Sequence, residues 1–128
     1  MGHIDRTFCR DAALLLRLAK EGCIIEYDFF GMSESWTHTL QFNVEVPSEH
    51  DRLRMIRTLI DAGHGSQVVI AHDIYTKHRL KKFGGHGFAF IVEIIIPFYV
   101  SKGFTEGELV EILVHTPRRL LTLADKEL

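Results

Sequence analysis

The stretch Gln67-Val68-Val69-Ile70-Ala71-His72-Asp73 decides the fold of this chain. Its apolar, mostly β-branched residues lie between a glycine-rich turn and a polar segment, which predicts a strand over residues 67–71 that is buried on both faces. Asp73 follows the C-terminal end of that strand, where parallel α/β sheets and barrels place their chemistry. Asp73 is therefore a candidate metal ligand or proton acceptor, although a cap of the following turn explains the same carboxylate equally well.

Helical patterns and a further strand precede this stretch. Apolar residues recur at helical spacing over residues 11–21, and Gly22 is the expected C-terminal cap. Residues 23–29 form a second strand that also ends in a carboxylate. The next helix begins with Ser48 and Asp51 at capping-box spacing. Its predicted buried stripe is Leu53, Ile56, Leu59 and Ile60, and its end is Ala62-Gly63. Strands that alternate with helices predict right-handed parallel βαβ units.

Two long connections join these elements. Residues 31–50 lack a periodic pattern and contain Trp36, His38 and Phe42, which favours a lid over the site, with a small satellite core as the alternative. Residues 77–87 are rich in basic residues and glycine and lie directly after the deciding strand.

Two further helices are expected near the end of the chain. They are predicted over residues 88–102 and 105–114. Thr105 and Glu108 have capping-box spacing at the start of the second one, and Pro117 is expected to mark its end.

The composition excludes several classes of protein. The chain has 128 residues, 46% of them hydrophobic, and a net charge of −2, which gives no reason to expect a nucleic acid or an anionic membrane as partner. The basic run of residues 77–82 is short and lacks interleaved aromatics. Cys9 and Cys23 form neither a disulfide framework nor a CxxC motif, so a cytoplasmic setting is expected. The apolar segment 88–100 is shorter than the roughly 20 residues that span a bilayer.

Five short motifs occur in a fixed order along the chain. They are Gly2-His3-Ile4-Asp5, Gly22 with Glu26-Tyr27-Asp28, Ile70-Ala71-His72-Asp73, Gly84-Gly85-His86-Gly87-Phe88 and His115-Thr116-Pro117-Arg118-Arg119-Leu120-Leu121. Each motif alone is a weak signal, but the ordered set is specific and covers essentially the whole chain. In that order the motifs resemble the phosphotriesterase family of metal-dependent hydrolases, most closely its animal, phosphotriesterase-related branch.

The resemblance implies an α/β fold, the C-terminal portion of a TIM-type (β/α)8 barrel of the metal-dependent hydrolase superfamily, with strands six to eight and their helices. It also implies a centre of two divalent ions, expected to be zinc, at the strand ends. His3 matches the family's ligand to one ion. Asp73 matches the ligand to the other ion, which is also the catalytic group that takes the proton from the bridging water. The remaining ligands of the family lie on strands that this sequence lacks.

The same resemblance implies hydrolysis of an amide or ester, since the animal branch is associated with the conversion of N-acetyltaurine to taurine and acetate. The substrate ends in a sulfonate, and we hypothesise that Lys77, His78 and Arg79 form a cationic clamp for it. Phe29 follows Asp28 where bacterial phosphotriesterases carry the histidine of a proton relay. The full relay and activity on organophosphates therefore do not follow from the resemblance.

Other polar residues have competing explanations. Glu26 and Asp28 either line the substrate pocket, or one of them forms a buried ion pair with Arg6. His72 is expected to orient the following aspartate or to pack at the strand end rather than to bind metal. His86, which lies between glycines, fits a flexible substrate-binding loop.

Two functions from different classes remain. In the first, the chain is part of a metal-dependent hydrolase that acts on a small molecule. In the second, it is a truncated, catalytically incompetent half-barrel that serves only as a structural or assembly piece, and its open barrel edges allow self-association. His3 and Asp73 supply one ligand each, whereas a zinc ion in catalysis normally takes three, so the isolated chain is expected to be inactive. Met1 stands where the family has an ordinary strand residue, which fits an incomplete gene model as well as a short isoform.

Overall fold

The computed structural model describes residues 1–7, 11–32 and 46–123. These residues form the helices α1 (Ile4–Thr7), α2 (Ala12–Lys20), α3 (Glu49–Asp61), α4 (Ile96–Ser101), α5 (Glu106–Val110) and α6 (Thr116–Leu121), and the strands β1 (Ile25–Tyr27) and β2 (Val68–Ile70). Three 3-10 turns cover Gly65–Gln67, Lys77–Arg79 and Lys81–Phe83. Trp36, His38 and Phe42 of the predicted lid lie outside the described residues.

The two strands are parallel neighbours, as the alternation of strands and helices predicts. Their register places Ile25 beside Val68 and Tyr27 beside Ile70. Both predicted strands are confirmed, but each is three residues long and thus shorter than expected. Ile25, Tyr27 and Val68 are fully buried, whereas the rest of β2 is half-buried, so the described residues do not cover both faces of this strand as the sequence predicts.

Local capping signals set the ends of α2. The Asp11 side chain accepts a hydrogen bond from the Leu14 N–H at 2.9 Å and so satisfies one of the free amides of the first turn. Gly22 follows the helix with φ of +85°, a left-handed conformation that favours glycine. Leu15 and Ala19 on the inner face are buried against β1 and α3.

The predicted capping box of α3 is present. The Asp51 N–H donates to the Ser48 Oγ at 3.2 Å, and the Ser48 N–H donates to the Asp51 Oδ2 at 3.0 Å. The predicted stripe is buried or half-buried at all four positions, Leu53, Ile56, Leu59 and Ile60. Arg52 is also completely buried on this face, which an apolar pattern does not predict.

Pro117 does not end the last helix, so that part of the sequence prediction is wrong. It is the second residue of α6, and the helical backbone continues to Leu121. In a regular helix a proline lacks a donor and its ring clashes with the carbonyl four residues back. Here the preceding residues, Glu111–His115, form a π turn in which the Thr116 N–H bonds to the Glu111 carbonyl five residues back. The wider turn carries the chain past the proline.

The same arrangement precedes α4, within the helix predicted over residues 88–102. Ile91–Ile95 form a π turn, and the Ile96 N–H donates to the Ile91 carbonyl. Pro97 then follows as the second residue of α4. Both late helices therefore accommodate an internal proline by the same local change of hydrogen bonding.

The core lies between the short sheet and the helices. Its buried members that follow β2 are Phe90, Ile91, Ile95, Tyr99, Phe104, Leu109 and Ile112. They belong to one contiguous hydrophobic cluster with the buried residues of α2, β1, α3 and β2. Within residues 1–7, 11–32 and 46–123, no helix is long and apolar enough to cross a membrane.

An ion pair between α3 and α5 gives a testable contribution to stability. The Arg57 Nη2 donates to the Glu108 Oε1 at 2.6 Å, while the Glu108 Oε2 accepts from the Thr105 N–H at 2.8 Å in a capping box. The hydrogen bond from Arg57 and the cap lower the pKa of Glu108 to about 2.

We expect Glu108→Gln to lower the free energy of unfolding at neutral pH by about 1 kcal/mol, because the amide keeps the cap and loses the charge pair. Glu108→Ala, which loses both, should cost about 2 kcal/mol. The Glu108 pKa is lowered in the folded state, so its contribution is complete above the unfolded value of 4.5 and is lost as the pH falls toward 2. Urea unfolding of the 128-residue chain across this pH range measures the difference. Glu106→Gln, on the same helix turn, is the charge-matched control, and an equal loss in that variant would contradict the role of the ion pair.

Candidate metal centre

Three parallel chain segments end at one edge of the structure. The Met1 ammonium group donates to the Ile24 carbonyl at 2.6 Å, and the Glu26 N–H donates to the Met1 carbonyl at 3.0 Å. This is the hydrogen-bond pattern of a parallel strand placed beside Ile25. β1 pairs in turn with β2, and the Ala71 N–H extends that pairing by donating to the Tyr27 carbonyl at 2.9 Å. Residues that follow the three segments therefore lie at the same end of the sheet.

His3 is held at the end of the first segment by Asp28, which follows β1. The Asp28 Oδ2 lies 3.0 Å from the His3 Nδ1 and 3.2 Å from the His3 backbone nitrogen. A carboxylate at Nδ1 favours the tautomer that carries its proton there, with the lone pair on Nε2. Metal-binding histidines are typically oriented by a carboxylate in this way. The arrangement fits a metal ligand at His3.

Asp28 has a further acceptor at this edge. Its side chain is only 9% exposed, and its Oδ1 has no hydrogen-bond partner within the described part of the chain. Glu26 is half-buried, and its Oε2 lies 2.9 Å from the position that a Cβ on Gly2 would occupy. Gly2 thus leaves room for the two carboxylates beside His3. Arg6 is exposed, so it does not form the buried ion pair that is one expectation for Glu26 or Asp28. The buried charge pair of this region joins two other residues.

That buried pair is formed by Asp5 and Arg52. The Asp5 Oδ2 accepts hydrogen bonds from the backbone N–H groups of Asp28 at 2.7 Å and Phe29 at 3.3 Å, while its Oδ1 accepts from the Arg52 Nε. Asp5 is 1% exposed and Arg52 is fully buried. Burial raises the pKa of Asp5, and the Arg52 guanidinium counteracts this rise.

Arg52 also ties α3 to the segment after β1. Its Nη1 lies 3.1 Å from the Glu49 Oε2, an ion pair between residues three apart on this helix. The Glu49 Oε1 accepts from the Gly31 N–H at 2.9 Å. Sequence analysis assigns no role to Arg52 or Glu49. The one available signal is that Arg52 lies four residues before the buried Ile56 and so on the same face of the helix.

Asp73 lies at the end of β2 in a strained conformation. Within residues 1–7, 11–32 and 46–123, the non-glycine residues with positive φ are His3, at +55°, and Asp73, at +46°. Such a backbone costs about 1–3 kcal/mol and persists only where the surroundings enforce it. The strain thus falls on the two positions that sequence analysis selects as metal ligands.

Arg79 provides those surroundings for Asp73. Its Nη1 donates to the carbonyls of His72 at 2.7 Å and Asp73 at 3.0 Å, and its Nη2 donates to the Phe30 carbonyl at 2.8 Å. The residue is 6% exposed, and burial lowers its pKa. Three of the five N–H donors of the guanidinium group are thus directed to backbone carbonyls.

His72 packs at the strand end, one of the two roles expected for it. Its Nε2 accepts a hydrogen bond from the Ile91 N–H at 3.2 Å. Burial, with a contribution from the neighbouring Arg79, lowers the pKa of His72 and favours the neutral ring. His72 therefore supports the first turn of the π segment.

The glycine-rich loop with His86 is closely fitted rather than loose. A Cβ on Gly85 would lie 2.2 Å from the Arg79 carbonyl carbon, and the Gly87 N–H donates to the Arg79 carbonyl at 2.9 Å. The exposed His86 ring stacks on Phe90 at 4.3 Å between centroids. The glycines thus serve close backbone approach, and the flexible loop expected from sequence is anchored on both sides of His86.

The candidate residues form a partial site. His3, Asp28 and Glu26 lie together, Asp73 lies at the same sheet edge, and Lys77 is exposed on the turn beyond it. Among the residues that the structure describes, no three His, Cys, Asp or Glu side chains are grouped closely enough to hold an ion. The donors present fit single ligands to ions whose other ligands come from elsewhere.

Solved structures with this fold come from phosphotriesterase-like TIM barrel proteins. A resiniferatoxin-binding protein from Rhodobacter sphaeroides superposes with a TM-score of 0.83 at 27% identity, covering 93% of this chain and 32% of that one. A lactonase from Listeria monocytogenes superposes with a TM-score of 0.75 at 24% identity over 96% of this chain and 35% of that one, a likeness of fold alone.

Curated relatives give the same assignment. An N-acetyltaurine hydrolase from Dictyostelium discoideum is 46% identical over 123 residues, which are 96% of this chain and 33% of that protein. A phosphotriesterase-related protein from Nematostella vectensis is 41% identical over 95% of this chain and 34% of its own length. The chain thus spans about one third of the length of the curated relatives it matches. The phosphotriesterase family model matches residues 1–121, and the chain belongs to that family.

Proposed function

We propose that this chain supplies strands six to eight of the (β/α)8 barrel of a divalent-metal-dependent hydrolase, and that the complete barrel hydrolyses an amide or ester, with N-acetyltaurine as the substrate. The observation that carries the proposal is the pair of strained residues, His3 and Asp73, at the ends of the two parallel segments that flank β1. Similarity to N-acetyltaurine hydrolases supports the choice of substrate.

In this proposal His3 and Asp73 hold different ions. Asp28 at the His3 Nδ1 would orient the ring so that Nε2 could bind an ion. Two ions, when bound, supply hydroxide near neutral pH and stabilise the developing anion. The Asp73 carboxylate is both a ligand and the acceptor of the water's proton. Zinc suits this imidazole and carboxylate donor set.

In amide hydrolysis the proton taken up by Asp73 would pass to the leaving amine nitrogen, and position 29 would take no part in that transfer. Phe29 is buried, and its ring lies 5.3 Å from the His3 ring between centroids. A phenyl ring cannot relay a proton, so it packs the ligand instead of continuing a chain of acid–base groups. This difference disfavours the relay of bacterial phosphotriesterases.

Substrate recognition is assigned to exposed groups around the Asp73 edge. Lys77 is exposed, and its Nζ lies 5.8 Å from the centroid of the Phe83 ring. We assign the contact with the sulfonate to Lys77, because Arg79 is buried among carbonyls. Glu26, Asp28 and the exposed His86 border the same end of the sheet and complete the proposed substrate site.

The proposal is tested with a chimera in which this chain replaces the matched third of the Dictyostelium discoideum relative. We expect zinc-dependent hydrolysis of N-acetyltaurine that a chelator abolishes. Asp73→Asn should lower kcat by about 10²–10⁴-fold, because the amide is a poor ligand and cannot accept the proton. Steady-state kinetics and bound-metal analysis measure both effects.

Asp11→Asn is the matched control, because asparagine also caps a helix and α2 lies away from the strand ends. A folded, zinc-loaded chimera without hydrolytic activity would contradict the proposed function. The isolated 128-residue chain should show no turnover, since His3 and Asp73 alone do not complete either metal site.

Lys77→Ala in the chimera should raise KM for N-acetyltaurine about tenfold and leave kcat nearly unchanged, since the lost charge contact is made equally in the ground and transition states. Lys82→Ala is the matched control, because Lys82 is also exposed and its Nζ also lies 5.8 Å from the Phe83 centroid. An equal KM for wild type and Lys77→Ala would remove Lys77 from the proposed site.

A second candidate function is assembly without catalysis. A surface groove of about 490 Å³ has one charged residue, Glu106, in its otherwise apolar lining, which consists of Ile96, Val100, Phe104, Leu109, Val110, Leu113 and Val114. Val100 and Val114 are about half exposed, at 53% and 51%. Such an apolar groove, with an open sheet edge beside β2 within the described residues, favours pairing with a second copy of the chain.

Sedimentation velocity over a range of concentrations tests this assembly. We expect the 128-residue chain to self-associate, and Val114→Lys to shift it toward monomer, because the charge would be buried in the groove. Val92→Lys, at a 65% exposed position that does not line the groove, is the control. A monomer at every concentration would contradict assembly through this face.

A further inference from the structure

Arg79 has the contacts of a residue that fixes the geometry of the site rather than one that touches the substrate. Its guanidinium group reaches three carbonyl oxygens, which belong to His72, Asp73 and Phe30. Two of these carbonyls follow β2, and the third follows β1. One side chain therefore joins the ends of both strands at the edge where the candidate ligands lie.

We propose that Arg79 is a positioning residue that holds Asp73 in its left-handed backbone conformation and thereby directs the Asp73 carboxylate. This inference rests on the proposed function, because it assigns the purpose of the contacts to the metal ligand. Asp73 is not a glycine, so its φ of +46° needs enforcement from outside the residue. Arg79 binds the carbonyl oxygens of His72 and Asp73, which belong to the two peptide groups on either side of the Asp73 Cα. These hydrogen bonds restrain the backbone of Asp73 in the left-handed conformation.

The chemistry of the guanidinium group suits this role. Its planar fork presents several donors in fixed directions, so a single group can bind three carbonyls at once. A lysine ammonium has the same charge but lacks that fixed geometry. The hydrogen bond from Arg79 to the Phe30 carbonyl connects this group to the segment after β1. Asp73 is therefore held relative to β1 as well as to β2.

Arg79 is itself held from the opposite side. The Gly85 backbone lies so close to the Arg79 main chain that no Cβ fits, and the Gly87 N–H donates to the Arg79 carbonyl at 2.9 Å. The glycines of the loop thus fix the arginine, and the arginine fixes the strand ends. These hydrogen bonds engage three of the five N–H donors of the Arg79 guanidinium group with the backbone.

The first test follows amide hydrogen exchange in the 128-residue chain carrying Arg79→Lys or Arg79→Gln. The reporters are the amides that join the strand ends, Phe30 N–H to the Ala71 carbonyl and Ala71 N–H to the Tyr27 carbonyl. We expect both to exchange about tenfold faster or more, while the His64 N–H at the end of α3 is unchanged. Arg118→Lys, at an exposed position on α6, is the matched control. Unchanged exchange at the reporters would overturn the inference, as would equal loss of protection at His64.

The second test measures Arg79→Lys in the chimera with two substrates, N-acetyltaurine and a neutral N-acetyl amine without a sulfonate. A positioning role lowers kcat about tenfold or more for both substrates and changes KM less than about twofold. A raised KM for the sulfonate substrate alone, with kcat retained, would overturn the inference in favour of a clamp. An inactive chimera with native Arg79 would reject the proposed function, and the exchange experiment would still decide the role of Arg79 at the strand ends.

Discussion

A buried charge pair between Asp5 and Arg52 is the interaction on which the site edge depends. Both side chains are almost completely removed from water, so each charge needs the other and further hydrogen bonds to offset its lost hydration. Asp5 accepts two backbone amides after β1 in addition to the Arg52 Nε. Removing one member of such a pair costs about 3–5 kcal/mol, a large share of the roughly 5–15 kcal/mol that keeps a domain folded. The pair therefore couples the fold of α1, β1 and α3 to the placement of Asp28.

Asp28 in turn positions His3, and Arg79 positions Asp73 in a similar way. In both cases the candidate ligand has a positive φ, and a buried or nearly buried side chain from elsewhere in the sequence binds its backbone. The partners differ in charge: a carboxylate holds the histidine, and a guanidinium holds the aspartate. The strand ends are thus shaped by the protein's own contacts.

Local signals account for what the sequence predicts well. Capping residues such as Ser48 and Asp51 act within one turn, and the apolar runs of β1 and β2 need only a neighbouring strand, so their positions follow from short stretches. Arg52 and Arg79 could not be assigned in this way. Each looks like an ordinary surface charge in its own segment, and its burial follows from partners 47 and 49 residues away in the chain, at Asp5 and Phe30 respectively. His3 has no local signal either, and only the ordered family motifs single it out.

The π turns before Pro97 and Pro117 change how the late helices present their inner surface. A regular helix has 3.6 residues per turn, so residues four apart drift steadily around its axis. A π turn closes over more residues and reverses part of that drift. Ile91, Ile95 and Tyr99 are each four apart and all buried, which matches a straight row along such a mixed helix. The buried positions of this segment thus repeat every four residues across Pro97.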